Sequence, residues 1–510
     1  METGEVLVID LFAGPGGLGE GVSSVVDGNG NKPFQIGVSV EKEPSAHKTL
    51  TTRAFFRKIK ELDGGLEDYF NYVRGKLTRD EIFELYPQQA QEAICETLGE
   101  PRALGEDNEL IHSRIRELIT THQGPKVVIG GPPCQAYSLA GRSRNAGIKN
   151  YKAEDDHRNF LYKEYLKVLS IAQPDVFVME NVRGILSAKI NGNVMFPQIL
   201  EDLRDPSLVT EVSGVAKYRV FSLVVEANDP EDPQYPDSSD FLIRSENYGV
   251  PQARHRVILL GVRQDITHVP DTIYPMKQTV TVEQVLSDLP PLRSGLSKQK
   301  DIQEDWEKQV QINAKKLQRI LKMRFDSEAV DKLNLEPMLG LERQSFLLAE
   351  LGQSIPPHLK DWYLDSHPGC VLNHATRGHM TSDLLRYAFS AAFTKLSSGT
   401  SPKARDYPTE LAPEHDNWNS GSHADRFRTQ AANKCATTVT SHISKDGHYF
   451  IHYDPQQCRS LTVREAARLQ TFPDNYIFEG TRTQQYVQVG NAVPPFLAHQ
   501  IGKVVMALLE

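Results

Sequence analysis

The chain has 510 residues, 57 Lys and Arg against 66 Asp and Glu for a formal net charge of −9, and five cysteines. That length exceeds what one hydrophobic core usually serves and implies two domains. Cys95, Cys134, Cys370, Cys435 and Cys458 are odd in number and form no C-x-x-C pair, which argues against a disulfide framework or a structural zinc site and points to a reducing, cytoplasmic compartment.

The acidic balance weighs against a nucleic-acid binder taken as a whole, because phosphate contact favours basic surface. Residues 266–482, however, carry 26 basic and 26 acidic side chains, so a local basic face is compatible with the composition. No apolar run approaches the roughly 18 residues of a membrane span, and the short, acidic "METGEVLVIDLF" lacks the basic start of a signal peptide. A soluble, unprocessed protein without membrane association is expected.

In chain order, "EVLVIDLF" (5–12) is a β-branched run ended by "AGPGGLGEG", and "FQIGVSVE" (34–41) is a second run ended by an acid. Strand, glycine turn, helix, strand opens a doubly wound α/β sheet. Residues 51–125 are mixed helical in pattern and longer than a crossover needs, so they read as an insertion. Further strands are predicted over 126–131, 175–182, 218–227 and 256–262, with a helix over 159–174 that stops at a proline. After Val262 the alternation ceases in a linker, a charged helix-like stretch over 301–352 and a Pro- and His-rich stretch. The division is therefore a first domain over 1–265, a less regular second domain over 266–482, and a returning segment over 483–510 whose glycine turn and amphipathic helix suit packing on the first domain.

Gly14, Gly16 and Gly19 satisfy G-x-G-x-x-G, and Glu41 follows at the distance of a ribose-binding acid. The pattern serves a dinucleotide or S-adenosylmethionine equally, and the loop alone does not decide. Cys134, in "GGPPCQAYS", lies beyond the carboxyl end of the third strand, on the edge where open α/β sheets bind ligands. Glu180 ends the next strand and faces the same crevice. Gln252, Arg254 and Arg256 alternate into the last strand, so all three are expected on one face.

These motifs together resemble the DNA (cytosine-5) methyltransferases: "DLFAGPGG", "GPPCQAYS", "ENV", "QARHR", "RSLTVREAARLQTFPD" and "QVGNAVPP" stand in the family's order. The resemblance implies a Rossmann-like S-adenosylmethionine-dependent fold with a target-recognition domain over 266–482, and S-adenosyl-L-methionine as cofactor without a metal. It implies that Phe12, Ala13, Gly14, Pro15, Gly16, Gly17, Glu41, Pro132, Asn491 and Val493 bind that cofactor. Cys134 is then the nucleophile that attacks C6 of a flipped cytosine, and Glu180 the group that hydrogen-bonds N3 and the exocyclic amine. Arg254 and Arg256 hold the base, Arg254 directly. Gln135, Ser138 and Arg142, in a lid-like loop after the cysteine, and Gln252 are expected at the DNA.

The acid that meets the adenine amino group should lie between Glu41 and Cys134, with Glu106 and Asp107 as candidates. Arg, His, Asn and Gln in "HATRGHMTSDLLRY" and "ADRFRTQ" supply base-reading chemistry, many of them with structural roles instead. A metal site built on His374, His379, His442, His448 or His452 is disfavoured, since no Cys or carboxylate partner has ligand spacing. Thr462 and Glu465 form a capping-box pattern that opens a short helix closed near Pro473. The partner is duplex DNA, bound by a monomer in the cytoplasm at the nucleoid, in functional pairing with a restriction endonuclease; a tRNA cytosine-5 methyltransferase and an orphan regulatory DNA methyltransferase are the alternatives.

Overall fold

The computed structural model describes residues 4–133, 161–190, 192–210, 212–298, 300–346, 352–413, 418 and 425–510. Strand β1 (Val6–Leu11) is buried at every residue, as a central strand covered on both faces must be. Parallel to it run β2 (Phe34–Val40) on one side and β3 (Lys126–Gly130) on the other, and β3 pairs in parallel with β4 (Val176–Val182). Beyond β4 lie β5 (Tyr218–Phe221), the short β6 (Leu242–Arg244) and β7 (His255–Arg263). The sheet order is β2-β1-β3-β4-β7-β5, with β6 paired to the start of β7. β7 runs antiparallel to all three of its neighbours, so the fold is a mixed α/β sheet with a parallel half and an antiparallel edge.

The predicted strand over 218–227 stops at Phe221 because the Ser222 hydroxyl accepts from Val224 and Val225 N–H (3.0 and 3.1 Å) and donates to the Asp240 carbonyl. That local turn removes the chain from the ladder. One face of the sheet packs Val6 and Val8 against Leu18 and Val22 of α1 (Gly17–Ser23) and Leu497, Ile501 and Val505 of the C-terminal helix Pro495–Leu509. The opposite face packs Ile9, Val128 and Phe177 against Ile115 of helix Asn108–Thr121 and Tyr165 and Leu169 of helix Leu161–Ala172.

Close approach explains two glycines of α1. A Cβ on Gly17 would lie 2.2 Å from the Val493 carbonyl oxygen, and one on Gly21 2.3 Å from that of Pro495, so only hydrogen lets the returning segment seat there. Within Arg482–Leu509 one 18-residue window is apolar enough to pass for a bilayer span, against the expectation that no such run exists, but 72% of that window is buried. The stretch breaks into two helices at Pro494 and Pro495 and serves as a core element.

Residues 51–125, expected as an insertion, are largely helical. Helix α2 (Pro44–Ile59) extends across their expected start, and α3 (Gly65–Val73), α4 (Arg79–Leu85) and α5 (Pro87–Glu96) follow. Phe55, Phe56, Tyr69, Phe70 and Ile82 form a core that also takes in Cys370 and Leu372, so these helices dock on the later part of the chain. Residues 266–482 contain only two-residue strands among the described residues, and helix Gln303–Lys322 packs Trp306, Val310, Leu317 and Leu321 against Leu384, Ala388 and Phe389 of helix Thr381–Leu396.

Candidate active site

The carboxyl ends of β1 and β2 build the first half of the site. Phe12 turns out of β1 with φ +55°, a region unusual for a bulky residue and common at functional turns. Ala13 N–H then donates to the Val40 carbonyl (3.0 Å), and Gly16 N–H to the Ala13 carbonyl (2.9 Å), closing the turn that starts α1. Gly14 has φ +59° and open space where a Cβ would stand. Its N–H donates to Glu41 Oε2 (2.8 Å), while Glu43 N–H donates to Glu41 Oε1 (2.7 Å). Burial raises the Glu41 carboxyl above its ordinary value in spite of those donors. Val493 sits against Gly17 from the opposite wall, whereas Asn491 is exposed. Phe12, Gly14, Glu41 and Val493 are thus brought around one turn.

Asp10, near the end of β1 just before that turn, was passed over in the sequence. It is 1% exposed, both carboxylate oxygens are without a hydrogen-bond partner, and burial pushes it up to about 8 against the pull of Arg57. An acid in the aliphatic run VLVIDL was the available signal. Of the two adenine-contact candidates, Glu106 is exposed, and Asp107 Oδ2 accepts from Ala103 N–H (2.7 Å). Ala103 follows Arg102, whose N–H pairs with the Glu41 carbonyl (2.9 Å). Asp107 therefore stiffens the strand-like segment beside Glu41.

The second half lies at β3, β4 and β7. A Cβ on Gly131 would come 2.8 Å from Glu180 Oε2, and Asn181 Nδ2 donates to the Pro132 carbonyl (3.1 Å), so the turn leading to Cys134 is fastened to the end of β4. Cys134, Gln135, Ser138 and Arg142 lie outside the described residues. Arg256 Nε contacts Glu180 Oε1 at 2.7 Å, each side chain 14% exposed, which makes a charge-assisted pair open to the cleft.

Two expectations fail here. Arg254 is 1% exposed, and its Nη1 and Nη2 donate to the carbonyls of Val439 (2.7 Å) and Gly490 (3.1 Å); its guanidinium is occupied as an internal tie and does not hold the base. Gln252 is fully buried, donating to the Leu469 carbonyl (3.0 Å) and accepting from Val439 N–H (2.7 Å), which removes it from the DNA. The alternation that would put both on the face of Arg256 is broken by tight turns, Gln252 N–H to the Val250 carbonyl and Arg254 N–H to the Gln252 carbonyl.

In the second region the capping box of Thr462 and Glu465 opens helix Val463–Leu469. Its arginines are buried: Arg459 makes two 2.7 Å contacts to Glu465, and Arg468 pairs with Asp474 and Asp288. His374 bridges the Thr462 hydroxyl and the Pro290 carbonyl, both at 2.9 Å, and burial lowers it to about 4. His379 and His448 flank the Tyr387 hydroxyl, His452 stacks on Tyr453, and His442 is exposed. Among the described residues no group of three potential metal ligands converges.

A family model described as C-5 cytosine-specific DNA methylase matches residues 90–235 and 238–507. The chain is 32% identical to the type II methyltransferase M.Bpa9945I of Bacillus paralicheniformis, across 99% of each protein. It is 28% identical to the type II methyltransferase M.DdeI of Desulfomicrobium norvegicum, over 74% of this chain and 71% of that one. Among solved structures, a prophage-encoded E. coli protein named as a DNA modification methyltransferase shares the fold with a TM-score of 0.51 at 20% identity, covering 99% of each chain.

Proposed function

This chain belongs to the C-5 cytosine-specific DNA methylase family, and from that premise we propose that it methylates C5 of a cytosine flipped out of duplex DNA, as the modification partner of a type II restriction endonuclease. The observation that carries the reading is the Glu180–Arg256 pair standing against Gly131 and Pro132, the residues that precede Cys134 in the sequence.

The turn after β1 fits S-adenosyl-L-methionine. The open space over Gly14 gives the cradle, and the Glu41 carboxylate, with one backbone N–H on each oxygen, keeps lone pairs for ribose hydroxyls. Pro132 on the β3 side and Val493 on the returning segment wall the pocket. When bound, the cofactor supplies an electrophilic methyl group.

The remaining chemistry belongs to the chain. Cys134 adds as a thiolate to C6, forming the Sγ–C6 bond and moving the electron pair towards C5. Glu180 accepts from the exocyclic amine and, through its carboxylic O–H, donates a proton to N3, which offsets charge developing on the ring, while Arg256 orients the Glu180 carboxyl group and holds the base. C5 takes the methyl group as the donor's S–CH3 bond breaks and leaves a neutral thioether, the C5 proton then passes to water, and its electron pair restores the C5=C6 bond as the Sγ–C6 bond breaks to return the thiolate. A stacked cytosine exposes neither C5 nor C6 to this geometry, which is why the base must leave the duplex.

The test is transfer of tritiated methyl from S-adenosyl-L-methionine by the purified chain to duplex DNA and, separately, to tRNA. Label in DNA at 5-methylcytosine is expected; label confined to tRNA overturns the proposal.

A further inference from the structure

Arg53 on α2 is 5% exposed and three of its atoms have defined partners. Nε and Nη2 donate to the two carboxylate oxygens of Glu20 on α1 (2.8 and 2.5 Å), and Nη1 donates to Asn475 Oδ1 (2.8 Å). The guanidinium carbon lies over two aromatic rings, 4.3 Å from the centroid of Phe56 and 4.6 Å from that of Tyr476. Tyr476 is itself fully buried, and its hydroxyl donates to the carbonyl of Pro15, in the centre of the glycine turn. That hydroxyl also lies 3.0 Å from where a Cβ on Gly16 would stand.

The same assembly reaches the later part of the chain. Asn475 Nδ2 donates to the Asp365 carbonyl (2.6 Å), Tyr69 on α3 donates to the Asn475 carbonyl (3.0 Å), and Thr52 and Tyr72 both donate to Glu479. A bidentate ion pair with one further hydrogen bond and two aromatic rings within cation–π distance is a strongly determined geometry. Among the described residues none of these groups hydrogen-bonds or ion-pairs with Glu180 or Arg256. The Arg53–Tyr476 branch ends at the Pro15 carbonyl, one residue from the N–H that meets Glu41.

We propose that Arg53 and Tyr476 are positioning residues for the cofactor turn: Arg53 fixes the Tyr476 ring, and Tyr476 fixes the Pro15 carbonyl and with it the register of Gly14 against Glu41. The inserted helices acquire a role by this account, since α2 and α3 clamp segment 475–479 over the turn. The inference rests on the reading that this turn takes S-adenosyl-L-methionine.

Tyr476→Phe keeps the ring and deletes the single hydrogen bond to Pro15; Arg53→Lys keeps the charge beside Glu20 and loses the fork and the flat stacking face. Both variants, as full chains, are assayed for cofactor affinity by calorimetry and for methyl transfer to duplex DNA with each substrate varied. Loss of one such hydrogen bond should raise the cofactor Kd and its KM about three- to tenfold, with the KM for DNA unchanged and kcat at saturating cofactor within about twofold. A merely structural role lowers the active fraction, so that kcat falls and neither KM moves; that result overturns the proposal, as does unchanged cofactor affinity in Tyr476→Phe. If Arg53→Lys does not fold, Tyr476→Phe decides alone. Glu41→Gln separates the two layers of inference. If Glu41→Gln leaves cofactor affinity intact, the reading of the turn itself fails, whereas loss in Glu41→Gln with none in Tyr476→Phe refutes the positioning role only.

Discussion

Arg254 and Arg256 are two residues apart, and the structure gives them opposite consequences on replacement. Arg254→Ala strips the donors from two buried carbonyls, those of Val439 and Gly490, in a junction that a Cβ on Gly490 would already overfill at 2.3 Å from Ser441 N. Each abandoned buried acceptor costs about 1–3 kcal/mol, and the missing side chain leaves a gap besides. The expected destabilisation is therefore about 3–5 kcal/mol, a large part of the stability of an ordinary domain. Arg256→Ala removes the partner of a largely buried Glu180 that borders the cleft, so it should cost about 1–3 kcal/mol, less than Arg254→Ala, while methyl transfer falls steeply. Urea unfolding followed by tryptophan fluorescence, run beside a methyl-transfer assay, distinguishes them. A stable, folded Arg254→Ala that loses only turnover would refute the assignment of Arg254 as an internal tie.

Asp10 should make the fold pH-sensitive. Its native carboxyl is held up at about 8 whereas an unfolded aspartate titrates near its ordinary 3.8, so between those values the native state binds the extra proton and stability falls as pH rises; Asp10→Asn should flatten that slope, and an unchanged slope in unfolding curves taken from pH 5 to 8 contradicts the argument. Glu41→Ala should weaken S-adenosyl-L-methionine binding by about 1–3 kcal/mol, the scale of a charged hydrogen bond, and calorimetry showing equal affinity would remove Glu41 from the pocket. Grafting residues 266–482 from a relative of different specificity should move methylation to that relative's site, since base-edge contacts specify while phosphate contacts position; an active chimera that kept the original site would place specificity elsewhere.

The parts of the molecule legible in the sequence are those fixed by local pattern. Strands β1, β3 and β4 read as apolar runs because both faces are covered, and Gly14 with Glu41 could be paired because a parallel βαβ unit sets their spacing. The capping box at Thr462 was equally local. What was misread depends on contacts far along the chain. Arg254 and Gln252 were assigned a face by strand alternation, yet Gln252–Ala253 pairs with Ala436–Thr437 outside the main sheet, and their side chains are claimed by Val439, Leu469 and Gly490. Tyr476 and Arg53 carry no motif at all, since their meaning comes from α2 lying over a segment more than 400 residues later. The inserted helices were opaque for the same reason: their partners, Cys370 and Leu372, sit in a stretch without periodicity.

The central claim, covalent catalysis by Cys134, is tested most directly by trapping. Duplex DNA carrying 5-fluorocytosine at the target position, incubated with the enzyme and S-adenosyl-L-methionine, should form a denaturation-resistant protein–DNA adduct, because fluorine cannot leave C5 as a proton does. Mass spectrometry should place the adduct on the peptide containing "PPCQAYS", and Cys134→Ser should bind DNA but form none. An adduct at Cys95, Cys370, Cys435 or Cys458, or sustained turnover by the serine variant, would contradict the account.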